Sequence, residues 1–145
     1  MEQVKRKKVI NGNFTGIIIA LILSFIAGSC GIGGSNDYEA LVKTSDEMNK
    51  SYPAKVDDDT RLDSTNVQKE PLTLNYYYTI VTVEKESLTV NLQDVVAQIK
   101  KGAQENLDKA PEMAEFRNKN IALKYNYSDK NGVFLTDFTI NPTKQ

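Results

Sequence analysis

The chain has 145 residues, with 18 basic and 19 acidic side chains, one cysteine and no histidine. The missing histidine removes the commonest general base near neutral pH and the commonest metal ligand, and the single cysteine excludes an internal disulfide. From Cys30 onward there are 14 basic and 18 acidic residues, a net charge of −4, which argues against nucleic acid and the basic stripe it demands.

The first predicted element is a membrane segment. Lys5, Arg6, Lys7 and Lys8 form a basic head, and no charged residue follows until Asp37. Phe14, Ile17, Ile18, Ile19, Leu21, Ile22, Leu23, Phe25 and Ile26 supply its apolar core. The small residues Ala27, Gly28 and Ser29 then lead into Cys30 and Gly31. A basic head, an apolar run and a small-residue end describe a secretory signal.

This stretch resembles the lipobox of bacterial lipoproteins. The resemblance implies that Cys30 takes a diacylglycerol after cleavage, and that further acylation makes the anchor stable, since two or more chains hold where one is marginal. The sequence departs from that pattern at Ala27, where Leu is usual. A second reading fits the same residues. Extended through residues 27–32, the run just reaches the length of a bilayer-spanning helix and would stay as an uncleaved anchor. Both readings keep the basic head cytoplasmic. They place residues 36–145 outside, on the bacterial cell membrane or outer membrane, with residues 1–35 as anchor segment and short linker.

The outer domain begins with a predicted helix over residues 36–53. Tyr38, Leu41, Val42, Ser45, Met48 and Tyr52 share one face, Asn36 or Asp37 caps the start, and Pro53 ends it. A polar, turn-rich stretch then becomes strand-like near residues 61–68. In the next strand Leu72, Leu74, Tyr76, Tyr78 and Ile80 alternate, the period of a half-buried strand. Tyr77, Val81 and Val83 fall on its other face. Asn91 opens a second helix with the stripe Leu92, Val95, Val96, Ile99, Ala103 and Leu107, and Asn91 with Asp94 resembles a capping box. Residues 111–116 form a short helical turn with Met113 and Phe116 inward. The last hairpin carries Ile121, Leu123, Tyr125 and Tyr127 on one strand, a turn at Asp129, Lys130, Asn131 and Gly132 in which Asn-Gly supplies positive φ, and Phe134, Phe138 and Ile140 on one side of the return strand.

These elements predict an α+β fold in the order α-β-β-α-β-β: a four-stranded, mainly antiparallel sheet with two or three helices on one face, preceded by the apolar membrane helix. A helical crossover between residues 83 and 119 allows the middle strands to be neighbours and parallel. LTLNYYYT (72–79) and IALKYNYS (121–128) echo each other, as two strands lining one core do. With Pro53, Val56, Thr60 and Leu62 before the tyrosine strand and YNYSDKNG after the helices, the outer domain resembles small uncharacterised bacterial envelope proteins. That resemblance assigns no role to any residue.

Little in the outer domain has a chemical signature. Asp57, Asp58 and Asp59 are the densest acid cluster; Ca²⁺ takes several such oxygens, but three acids in a loop also read as a solvated turn, and the latter is the expectation. SDKNG fails as a calcium loop, because Tyr127 and Phe138 would hold its end positions. No metal or cofactor is therefore expected. If the sheet's outer face is bare, Tyr77 with Lys124 and Asn126 forms a small partner surface. The expected role is a membrane-tethered binding or structural module, not an enzyme, with a protein partner. Two alternatives accompany it: an immunity or inhibitor protein against an exported toxin, and a hydrolase working through Asp, Glu and Tyr.

Overall fold

The computed structural model describes residues 36–143. The predicted membrane segment and Cys30 lie outside them. Among the described residues no helix is long and apolar enough to cross a membrane.

The elements are helix α1 (Asp37–Asn49), strands β1 (Ala54–Lys55), β2 (Thr60–Gln68) and β3 (Thr73–Ile80), helices α2 (Leu92–Lys109) and α3 (Ala114–Asn118), and strands β4 (Ala122–Asp129) and β5 (Phe134–Ile140). The sheet has five strands in the order β1-β2-β3-β4-β5. This corrects the expected four-stranded, mainly antiparallel sheet in two ways. The extra strand β1 is two residues long and pairs with Leu62 and Arg61; so short a strand leaves no period in a sequence. The sheet is also mixed, because β3 and β4 pair in parallel at its centre, while β1–β2, β2–β3 and β4–β5 are antiparallel.

The parallel register explains the echo between the two tyrosine strands. Leu74 lies beside Leu123, Tyr76 beside Tyr125, and Tyr78 beside Tyr127. Alternate residues of neighbouring strands point to the same face, so the repeated pattern builds one continuous apolar layer. Leu41 and Met48 from α1, Ile99, Ala103 and Leu107 from α2, and Met113 and Phe116 at the α3 turn pack into this core.

Local chemistry sets the boundaries. Asn91 caps α2 by accepting a bond from the Gln93 N–H; at α1, Asn36 occupies the cap position without a side-chain bond. The strand β3 stops at Ile80, and Val81 is exposed in the turn beyond it. In the last hairpin only Gly132 has positive φ, at 80°, and Asn131 does not. Asp129 closes that turn instead, accepting from the N–H groups of Asn131 and Val133, each at 2.8 Å. A register shift follows between Tyr127 and Ser128. It turns Phe134 out to 53 % exposure while Phe138 stays at 6 %, so Phe134 is not the core residue its spacing predicted.

The two ends of the sheet have different surroundings. At the end where β3 and β4 begin, Asp37 at the start of α1 pairs with Lys119, and the Lys69 ammonium sits 5.5 Å from the Tyr38 ring centre. The chain therefore enters the domain at this end. Both strands run away from it for eight residues, roughly 25 Å.

Candidate functional site

The structure places Tyr77, Lys124 and Asn126 on one face of the sheet, opposite the helices. Tyr77 and Asn126 are register partners, and Lys124 lies beside Asn75. All three have partners within the domain. The Tyr77 hydroxyl accepts from Asn66 Nδ2 at 3.1 Å, Asn126 Nδ2 donates to the Tyr76 carbonyl at 3.1 Å, and Lys124 pairs with Asp137 at 3.0 Å. Asn75 Nδ2 also donates to Asn66 Oδ1 at 2.9 Å. A surface whose polar groups already bond one another gains little by pairing elsewhere.

The acid cluster is likewise occupied. Asp57 accepts from the Asp59 N–H at 2.8 Å, Asp58 pairs with Lys55 at 2.7 Å, and Asp59 accepts from the Thr82 hydroxyl at 2.7 Å. Among the described residues no group of three acids, cysteines or histidines is placed to hold a metal. Burial raises the Asp129 pKa but its backbone N–H donors outweigh it, and Glu47 beside Lys50 and Asp108 bonded to Thr143 are also held below the usual carboxylate value. A general acid needs the opposite shift.

Under the helices the rings of Tyr76, Tyr125 and Phe138 stack in one row across the strands, beside a second row of Tyr78 and Tyr127. Neighbouring centres are 4.9 Å apart for Tyr125–Phe138, 5.1 Å for Tyr78–Tyr127 and 5.4 Å for Tyr76–Tyr125. Burial raises the pKa of all four tyrosines. The buried hydroxyls of Tyr76, Tyr78 and Tyr127 find no hydrogen-bond partner among the described residues. Removing a buried, unpaired hydroxyl removes a desolvation cost. Tyr78→Phe is therefore expected to leave stability unchanged or raise it by about 0.5–2 kcal/mol, read as the urea midpoint. A loss above about 1 kcal/mol would mean that the hydroxyl is bonded in solution.

An open groove on the helical face lies where β3 and β4 end. Ile80, Val83, Leu88, Leu92, Val95, Val96, Ile99 and Leu135, with Tyr127 and Thr136, line a groove holding a cavity of about 40 Å³. Eight of these ten are aliphatic, and Val83, Val95, Val96 and Leu135 are only partly buried. The loop between β3 and α2 forms one wall. Two of its backbone groups bond the last hairpin: the Lys130 N–H donates to the Val83 carbonyl at 3.0 Å, and the Lys85 N–H to Asp129 Oδ2 at 3.0 Å. The sequence shows the α2 stripe but not that its first turns lack a full cover. Val81, Val83 and Leu88 in a loop are the available signal, an apolar excess where turns are usually polar.

A single mixed sheet with helices on one face and an apolar groove at one end defines a small α+β domain. A similar fold occurs in the solved pilotin from the Vibrio vulnificus type 2 secretion system, EpsS, with a TM-score of 0.53 and 6% identity over 71% of this chain and 86% of that one. At this identity the likeness is one of fold. The chain itself belongs to the family described as Domain of unknown function (DUF8479), whose model matches residues 36–135. No curated protein matches it.

Proposed function

We propose that this chain is a non-enzymatic module of the bacterial envelope, held at the membrane through Cys30 or the apolar segment before it, which docks an apolar residue of a protein partner in a secretion-related assembly. The groove between α2 and the sheet carries this reading: it is aliphatic and open on a domain whose other sheet face is polar and self-paired. Burying one aliphatic side chain there contributes about 1.5–3 kcal/mol, the scale of an interface anchor. The pilotin-like fold supports a secretion-related role for the domain. The geometry supports a partner and not the bilayer as occupant. The chain enters at one end of the sheet and the groove lies at the other, so a domain tethered through its N-terminus presents the groove away from the membrane.

The test uses the full-length chain in cells, with a photo-crosslinking amino acid at Leu88. A discrete adduct is expected. It should disappear with Val96→Asp, which puts a charge in the groove, and persist with Asn126→Ala on the opposite face. Loss with Asn126→Ala alone would move the site to that face. In the same strains, Cys30→Ser should abolish labelled fatty-acid incorporation; an unmutated chain that takes no label leaves the uncleaved anchor.

A further inference from the structure

Resting on the groove as the docking site, we infer that the free edge of β5 takes an extended segment of a partner protein as a sixth strand, with one apolar side chain of that segment in the groove and acidic residues beside it. The two edges of the sheet differ. On the other side, β1 covers Arg61 and Leu62. The Asn49 side chain then occupies both backbone groups of Thr65, accepting from its N–H at 2.7 Å and donating to its carbonyl at 2.9 Å. Such cover is how proteins blunt a sheet edge.

At β5 the cover is confined to the strand's ends. The Phe134 carbonyl accepts from Lys85 Nζ at 2.9 Å, and the Asn141 carbonyl from Gln104 Nε2 at 2.8 Å. Between them no described residue covers the strand's outer backbone groups. The Asp129 N–H donates to the Val133 carbonyl, whereas that of Ala122 donates to Leu72. Odd-numbered residues of β4 thus direct their backbone groups toward β5, and their partners Phe138 and Ile140 answer them. By alternation the N–H and carbonyl groups of Asp137 and Thr139 point outward.

Groove and edge adjoin, since Leu135 and Thr136 belong to both. A cavity of about 40 Å³ admits one aliphatic side chain and not the several anchors of a docked helix. Main-chain bonds along an open edge supply the remaining affinity of an added strand. Charge favours an acidic segment. Gln93, Ala97, Lys100 and Gln104 share one face of α2, and the Gln104 bond to Asn141 shows that this face borders β5. It carries no acid before Asp108, which already holds Thr143, and Lys85 adds a second cation at Phe134. A second copy of the chain suits the edge less well. Twofold pairing centred on Asp137 sets like charges opposite each other, which destabilises a strand pair. Centring it on Thr139 opposes Asp137 to Asn141, whose carbonyl is taken.

The experiment selects short random peptides by phage display against the full-length protein in nanodiscs. The enriched sequence should show apolar residues at every second position and flanking acids. The synthetic peptide should lose about tenfold or more in affinity, measured by fluorescence polarisation, when alternate backbone nitrogens are methylated. It should lose as much against Asp137→Pro, and methylation keeps the test valid if that variant does not fold. Three results would overturn the edge pairing: no enrichment, apolar residues spaced by three and four, or indifference to methylation in a peptide that Val96→Asp still abolishes. In the last case the groove reading survives alone. A methylation-sensitive peptide that binds Val96→Asp unchanged removes the groove and overturns the proposal as stated.

Discussion

Phe138→Ala is expected to destabilise the domain by about 3–5 kcal/mol, the range for truncating a buried aromatic. Phe138 ends the row that runs through Tyr76 and Tyr125, with its ring 4.9 Å from Tyr125 and 6.3 Å from Tyr127. Its loss removes both transfer energy and the support of two neighbours. Phe134→Ala, four residues away on the same strand, should stay within about 0.5 kcal/mol, as exposed positions do. Urea unfolding of the two variants measures the contrast directly. Equal effects would show that the hairpin register differs from the one described.

The second large effect belongs to Asp129. This carboxylate is fully buried and accepts three backbone N–H groups, from Lys85, Asn131 and Val133. Burial pushes its pKa up, but the three donors and the nearby Lys130 charge outweigh burial and hold it below the usual carboxylate value. Asp129→Ala should lower the melting temperature by about 10 °C, because three donors lose a charged acceptor. Asp129→Asn, which keeps the shape and one acceptor, should lie between. The sign of the pH dependence follows from the downward shift. The ionised carboxylate stabilises the fold above the unfolded-state pKa of about 3.9, and that contribution disappears as pH falls through the lower folded-state value. Melting temperatures of wild type and Asp129→Asn should thus run parallel above about pH 5 and converge below about pH 4. A gap that ignores pH would mean that the charge contributes nothing. Since Asp129 also pins the groove wall at Lys85, its loss should weaken partner capture more than Phe134→Ala does.

The residues of regular, two-sided elements were legible in the sequence. The stripes of α1 and α2 and the alternation of β3 and β4 recur in the structure, because one buried face repeats at the period of the element. What escaped was decided between elements. Two residues of β1 cannot state a period, and the helical crossover allowed the parallel pairing of β3 with β4 without requiring it. Phe134 faces out because Asp129 shapes the turn and a register shift follows it, which alternation alone cannot register. The groove escaped for the same reason. Leu92, Val95 and Val96 read as core, and only the placement of the loop before them shows that they are half covered. Tyr77, Lys124 and Asn126 lie on one face of the sheet, but nothing in their spacing reveals that each already has a bond.

The central β3–β4 seam has a consequence for how the chain assembles. Each flank is local: β2 and β3 form one hairpin under α1, and β4 and β5 another beside α2. The seam joins residues 49 apart in sequence, Thr73 with Ala122 through Ile80 with Asp129, and closing so long a loop costs more entropy than a hairpin turn. Contacts of that separation slow folding. The two hairpins are therefore expected to form first and their parallel docking last, a sequence that refolding kinetics of seam and hairpin variants would check. Until then the tyrosine-rich edges of β3 and β4 stand open, and the folding chain is expected to be most prone to aggregation along this line.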